Sequence, residues 1–342
     1  MSLYYDEYGH QQTDYQIMKF IFKLPFAEDF LSVSHHNSGK NWVEFSSFTG
    51  DKKLEIKSHS IEYCNEEDLE KFLKKSIKFP AFSNSETFPN HDNYLKEVNK
   101  AIEVINENNL QKLVISRPIK KDLQNLDLKE TFKNISEKYK NTLRYLLISE
   151  DEIWMGATPE ILGKFNKNTQ EFFTMSLAGT LPLEEEWSDK EIEEQKPVSQ
   201  YILEKINTFS DDVKVSETYT HISGNIKHLR NDFTATIKPE NLENLISKLH
   251  PTPAVCGIPK DFCKEKILEI ENYNREFYAG YIKIETEEEI YYFVNLRCSK
   301  IFQNKIVAFA GGGITPKSNP EKEWQETELK SQAILNHLKF HS

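Results

Sequence analysis

The sequence, 342 residues long, lacks any apolar run that approaches the roughly 20 residues of a membrane-spanning helix. Its opening stretch, MSLYYDEYGHQQTDYQ, is polar and lacks the apolar region of a secretory signal, so a cytoplasmic location is expected. Cysteine is scarce. The four present (Cys64, Cys256, Cys263 and Cys298) form no C-x-x-C pair, which argues against both a zinc site and a disulfide framework. Positive charge is also in deficit, with 43 Lys and Arg against 54 Asp and Glu and a net charge of −11. No basic stripe offsets that deficit, so a nucleic-acid surface is not expected. The deficit has a corollary: an anionic substrate would need a metal ion or local cations to enter. Internal repeats, low-complexity linkers and disorder-prone runs are absent as well.

What is present suffices for one large domain or two ordinary ones, with the apolar content of a soluble globular protein. The stretch KFPAFSNSETFPNHDN at 78–93 is rich in Pro, Ser and Asn and marks the expected internal boundary. Residues 1–91 read as irregular mixed α/β with weak motifs, a variable N-terminal part of the same fold, and 92–338 as the region that carries the motifs. An amphipathic helix is predicted over 93–108, with Leu95, Val98, Ile102 and Ile105 on one stripe. A short strand, KLVISR at 112–117, follows it. Further strands are predicted at 144–149, 152–157, 161–166, 170–178, 280–285, 290–300 and 305–310. Strands in consecutive groups with a few long helices point to an α+β layout.

Two glutamate pairs with i, i+3 spacing stand out: Glu191 and Glu194 in SDKEIEEQ, and Glu323 and Glu326 in NPEKEWQETELK. Residues three apart share a helix face, so each pair can aim two carboxylates at one point. Two such faces meeting would offer the oxygen ligands a hard divalent cation takes. Against this, most such pairs in so acidic a chain are solvated helix surface. Ser188 precedes Glu191 by three residues, a capping-box spacing, and Ser318-Asn319-Pro320-Glu321 repeats that logic.

Lys112 opens the KLVISR strand, where a lysine is either an edge residue reaching water or, if inward, a candidate general base. Glu160 follows GATP, a tight turn that would hold an acid catalyst rigidly or carry an ordinary turn glutamate. In AFAGGGITP, Gly311, Gly312 and Gly313 could let backbone N–H groups approach an anion, although the spacing is neither a P-loop nor a dinucleotide fingerprint. Arg275, Tyr278, Arg297 and Lys330 are candidate partners for a dicarboxylate. His221 in THISGN and His250 in LHPTPAV lack partners at zinc-ligand spacing; His221 could instead hydrogen-bond a substrate.

Together, KLVISR, GATPEIL, SLAGT, SDKEIEEQ, LHPTPAVCGIP, NREFYAGY, VNLRCSKI and AGGGITPKSNPEKEWQET are collinear over roughly 92–338. In that order they resemble the chorismate-utilising enzymes, the isochorismate, salicylate, anthranilate and aminodeoxychorismate synthases. The resemblance implies a fold of two facing β-sheets with helices packed outside. It implies Mg2+ bound directly by Glu194 and Glu326 and supported by Glu191 and Glu323. It further implies that Tyr278, Arg297, Lys330 and the amides of Gly311 to Gly313 bind carboxylates. Thr180 and Thr252 would line the pocket, with His221 near the ring carboxylate. Within this family a lysine at the position of Lys112 marks members that add water, and Ala178 cannot form the covalent adduct of aminodeoxychorismate synthases. Lys112 would be the base and Glu160 the acid, its pKa raised so that it stays protonated.

The product implied is isochorismate. Salicylate synthases share the first step and then eliminate pyruvate, but LHPTPAVCGIP looks more like the isochorismate synthase loop. A chorismate-binding protein without turnover is the remaining alternative. No glutaminase subunit, nucleic acid or membrane partner is expected, and relatives of this type are often monomeric. Gln195, where many relatives have histidine, and Pro197, which would bend the helix past the metal site, depart from the family pattern.

Overall fold

In the strand Lys19–Lys23, Phe20 and Phe22 point into one apolar core and Ile21 into another. Strand Leu143–Ile148 divides in the same way, with Tyr145 and Leu147 on one side and Leu146 and Ile148 on the other. Side chains alternate with a period of two, so continuous apolar strands of this kind belong to a sheet covered on both faces. The computed structural model describes residues 18–74, 77–83, 88–223 and 226–341, with a two-stranded ribbon of Tyr4–Tyr5 and Gln11–Gln12 before them.

Two antiparallel sheets make the frame. The first, of eight strands, runs in the order 62–64, 30–34, 19–23, 143–148, 153–158, 298–301, 305–314, 113–122. The second, of nine, runs 214–215, 226–236, 171–182, 161–166, 289–294, 281–285, 40–46, 53–58, with 219–223 paired to 226–236. The larger core joins both sheets, and a smaller one lies under the helix Leu128–Lys138 on the far side of the first sheet. The α+β expectation of two sheets with helices outside therefore holds. Strands from the first ninety residues enter both sheets, so the 78–93 stretch does not separate them. Among the described residues no helix is long and apolar enough to cross a membrane.

Eight elements carry the site. Strands β1 (Leu113–Asp122), β3 (Glu171–Pro182), β4 (Ile226–Thr236) and β5 (Lys305–Ile314) supply walls, and β2 (Ile153–Thr158) leads into the segment that carries Glu160. Helices α1 (His91–Glu107), α2 (Asp189–Asn207) and α3 (Pro320–Leu335) pack beside them. Asn90 caps α1 by accepting from the Asn93 N–H at 2.9 Å. Its buried stripe is Tyr94, Glu97, Val98, Ala101 and Ile105. The stripe is turned from the expected one, leaving Leu95 and Ile102 half-buried, because Tyr94 and Ala101 pack inward.

Two further expectations change. The predicted strand 290–300 is two strands, Glu289–Val294 in the second sheet and Cys298–Ile301 in the first, with the chain crossing between sheets at Asn295–Arg297. The strand predicted at 305–310 runs on to Ile314 in β5, so Gly311, Gly312 and Gly313 lie within it and pair with Ser116, Ile115 and Val114. Helix α2 runs on through Pro197.

Candidate active site

The chain crosses between sheets twice in neighbouring places. After β2 it leaves the first sheet at Pro159–Glu160 and enters the second at Ile161, and it returns at Asn295–Arg297. The crossings are hydrogen-bonded: the Val294 N–H donates to the Glu160 carbonyl at 3.0 Å and the Ala157 N–H to the Arg297 carbonyl at 3.1 Å. A crossing frees side chains from sheet alternation, and Arg297 adopts φ 46°, a left-handed conformation uncommon for a residue with a Cβ. Glu160 and Arg297 thereby reach one cavity.

That cavity is lined by Lys112, Glu160, Ala178, Thr180, Glu191, Glu194, Tyr278, Arg297, Gly311, Gly313, Glu326 and Lys330 among others. The Glu160 carboxyl is buried and accepts a hydrogen bond from Thr252 Oγ1 at 3.1 Å. Burial pushes its pKa up to about 7, against the smaller opposing effects of Thr252 and Lys112. Thr252 therefore stands behind Glu160 rather than on the cavity wall. Burial also pulls the Arg297 guanidinium down to about 10.

The pocket histidine is His228, not His221. His221 and His228 are direct partners across strands 219–223 and β4, and His228 is the one that lines the cavity. A β-bulge at Gly179, φ 66°, breaks the register between Ala178 and Thr180. It brings the Gly179 carbonyl to 3.1 Å from His228 Nδ1. An Nδ1–H donated there leaves His228 Nε2 to accept from Arg297 Nη2 at 3.2 Å. Burial, with Arg297 and Lys330 nearby, holds His228 well below its ordinary pKa and therefore neutral. Ile226 and His228, two apart on one strand face, both line the cavity. His221 lies on the neighbouring strand, 3.5 Å from Arg230 Nη1.

Arg275 is not in the cavity either. It is buried and donates to Glu271 (2.6 and 2.8 Å), to the Val255 carbonyl (2.9 Å) and to the Val114 carbonyl (3.0 Å). These bonds tie β1 to the loop that carries Thr252. His250 is half-buried against Tyr281, ring centroids 5.2 Å apart.

The glutamate helices do converge. A Cβ at Gly312 would lie 2.8 Å from Glu323 Oε2 and 3.8 Å from Glu326 Oε1, and one at Gly313 would lie 2.8 Å from Glu194 Oε1. Only glycine leaves room for three carboxylates beside this strand. Gly311 and Gly313 face the cavity, whereas Gly312, one residue out of phase, faces α3. At Ser188 one half of the capping-box pattern forms: its N–H donates to Glu191 Oε2 at 3.1 Å, and its Oγ donates to the same oxygen at 2.5 Å. Asn319, rather than Ser318, caps α3. The donor set is all hard oxygen, which fits a divalent cation of the Mg2+ type. In the arrangement described, however, Lys112 Nζ is 2.7 Å from Glu194 and Lys330 Nζ 2.7 Å from Glu326. Among the described residues no three His, Cys, Asp or Glu side chains converge closely enough to form a metal cage.

A family model described as "Chorismate binding enzyme" matches residues 35–339. The chain belongs to that family. It is similar to the isochorismate synthase EntC of Escherichia coli (strain K12), 29% identical over 209 residues, covering 57% of this chain and 53% of that protein. The chain thus spans about half the length of that curated relative. Its fold matches the solved structure of MenF, the menaquinone-specific isochorismate synthase from Escherichia coli, with TM-score 0.77, 18% identity and coverage of 95% and 89% of the two chains. It also matches anthranilate synthase component I from Streptococcus pneumoniae TIGR4 with TM-score 0.68, 16% identity and coverage of 95% and 93%. The fold is common to both kinds of relative, so the reaction must be argued from the site.

Proposed function

We propose that this chain is a Mg2+-dependent isochorismate synthase, converting chorismate to isochorismate. The observation that carries the reading is the meeting of Lys112 and the buried, hydrogen-bonded Glu160 in one cavity, with Ala178 beside them. A lysine side chain that accepts a proton in its neutral amine form and a carboxyl able to stay protonated near neutral pH are the pair that water addition with loss of a hydroxyl requires.

In this reading Lys112 takes a proton from the water that attacks C2 of the ring. Glu160 gives its proton to the departing C4 hydroxyl, which leaves as water. One water enters and one leaves, so the product is an isomer. Arg297, held by His228, and Tyr278 with Lys330 bind the substrate carboxylates. Glu194 and Glu326, with Glu323 and Glu191 beside them, would hold Mg2+, which supplies positive charge against a substrate carboxylate. That charge, with the local cations, answers the deficit of the chain as a whole.

The deciding experiment incubates the protein with chorismate in ammonia-free buffer, with and without Mg2+, and identifies products by NMR. Isochorismate forming only with Mg2+ is expected. Salicylate plus pyruvate would instead make the chain a salicylate synthase, and no conversion would leave a binding protein. Lys112→Ala and Glu160→Gln should each abolish turnover while chorismate binding persists. Full activity in either would remove that residue from its role.

A further inference from the structure

Lys112 Nζ lies 2.7 Å from Glu194 Oε1, and Lys330 Nζ lies 2.7 Å from Glu326 Oε1. Lys330 also donates to the Gly311 carbonyl at 2.8 Å. Both pairs lie against the same stretch of β5: a Cβ at Gly313 would lie 2.4 Å from Lys112 Cε and 2.8 Å from Glu194 Oε1, and one at Gly312 would lie 3.8 Å from Glu326 Oε1. The side chains are largely out of water, with Lys112 12% and Glu194 15% exposed, so solvent screens their charges only weakly. A divalent cation and an ammonium group cannot both sit at contact distance on one carboxylate without strong mutual repulsion.

We infer that Lys112 and Lys330 are the internal counter-ions of the metal site. In the metal-free protein they hold Glu194 and Glu326, and a divalent cation binds by displacing them. The inference rests on the metal role proposed above for those glutamates. It has a functional consequence: the displacement that admits the cation also releases Lys112 from its carboxylate, so loading the metal and freeing the base are one event. There is room for the movement. The Lys112–Glu194 pair forms part of the wall between the catalytic cavity and a second cavity of about 380 Å³, whose other walls include Pro197, Pro253 and Pro316.

The test is a Mn2+ titration of the full chain without substrate, reading free Mn2+ by electron paramagnetic resonance. Lys112→Gln and Lys330→Gln should each bind Mn2+ about fivefold more tightly than the unaltered protein, the gain expected when one partly exposed ion pair no longer competes. Lys112→Arg keeps the charge and pairs more firmly through its planar fork, so it should bind Mn2+ no more tightly. Lys317→Gln removes a positive charge from the second cavity and should change affinity less than twofold. Equal affinity in the two glutamine variants and the unaltered protein would overturn the inference while leaving the metal site intact. Tightening by Lys317→Gln as large as that by Lys112→Gln would overturn it too, since overall charge alone would then account for the effect. Mn2+ bound by none of the proteins would reject the metal site itself and the inference with it. Should one glutamine variant fail to fold, by circular dichroism, the other carries the test.

Discussion

Burial disfavours the charged form of a carboxyl, and Glu160 shows what that means for both stability and rate. Its folded pKa, about 7, stands above the ordinary value of 4.5. The group therefore contributes stability that is fully present below pH 4.5 and is lost as pH rises through 7. The shift corresponds to about 3 kcal/mol at most. Glu160→Gln removes the titration, so its stability relative to the unaltered chain should climb between pH 4.5 and 7 and level off above. Urea unfolding across that range checks it, and parallel curves would mean that the carboxyl titrates normally. The same proton serves the proposed reaction, so kcat/KM should fall with a one-proton slope above the folded value. His228 allows a second test at this scale. Removing the acceptor that Arg297 Nη2 uses, by His228→Ala, should raise KM about tenfold through a less well-held guanidinium, with a smaller change in kcat. A loss confined to kcat would place His228 in the chemistry rather than in substrate binding.

Glycines act differently according to what a side chain would meet. At Gly313 a Cβ would strike the flexible end of Lys112, 2.4 Å away, whereas at Gly280 it would strike the Ser46 carbonyl, 1.9 Å away and fixed in the backbone. Gly313→Ala should therefore fold nearly as well as the unaltered chain yet lose about a hundredfold in kcat, since Lys112 and Glu194 are pushed aside. Gly280→Ala should lose about 3 kcal/mol or more of stability. Thermal unfolding and turnover, measured on both, separate the two effects, and a Gly313→Ala protein with full activity would detach β5 from the site. The same strand shows where sequence reading stops. Short apolar runs marked β2, the start of β5 and the first half of β1, predicted at 112–117 and found at Leu113–Asp122. That signal could not carry β5 through Gly311–Gly313, which have no side chains to alternate, and pairing with Ser116, Ile115 and Val114 settles that register instead. It could not break 290–300 at Arg297 either, because a crossing between sheets depends on which partner each half finds. His228, which the sequence reading does not single out beside His221, is missed for a related reason. The two are cross-strand partners, and only the bulge at Gly179 decides which imidazole meets Arg297.

At the scale of the whole molecule, the chemistry sits at the junction of two sheets that share strands from both ends of the chain, in a protein of net charge −11. The proposed substrate is a dianion, so its approach is governed first by that overall field and only at contact by Lys112, Arg297 and Lys330. Inside the cavity the positive groups are matched by Glu191, Glu194 and Glu326, so that even a bound divalent cation would leave a local excess small against the net charge of −11. Repulsion by the bulk of the protein then dominates at low ionic strength, where the Debye length is about 30 Å, and fades near physiological salt, where it is about 8 Å. With Mg2+ held saturating, kcat/KM for chorismate should accordingly rise several-fold between about 0.01 M and 0.15 M ionic strength, the opposite of a site that steers its substrate electrostatically. Stopped-flow or initial-rate measurements at low chorismate report this directly. A fall with salt would mean that the local cations and the bound metal project their field past the acidic surface, and would move the origin of substrate capture from contact to long range.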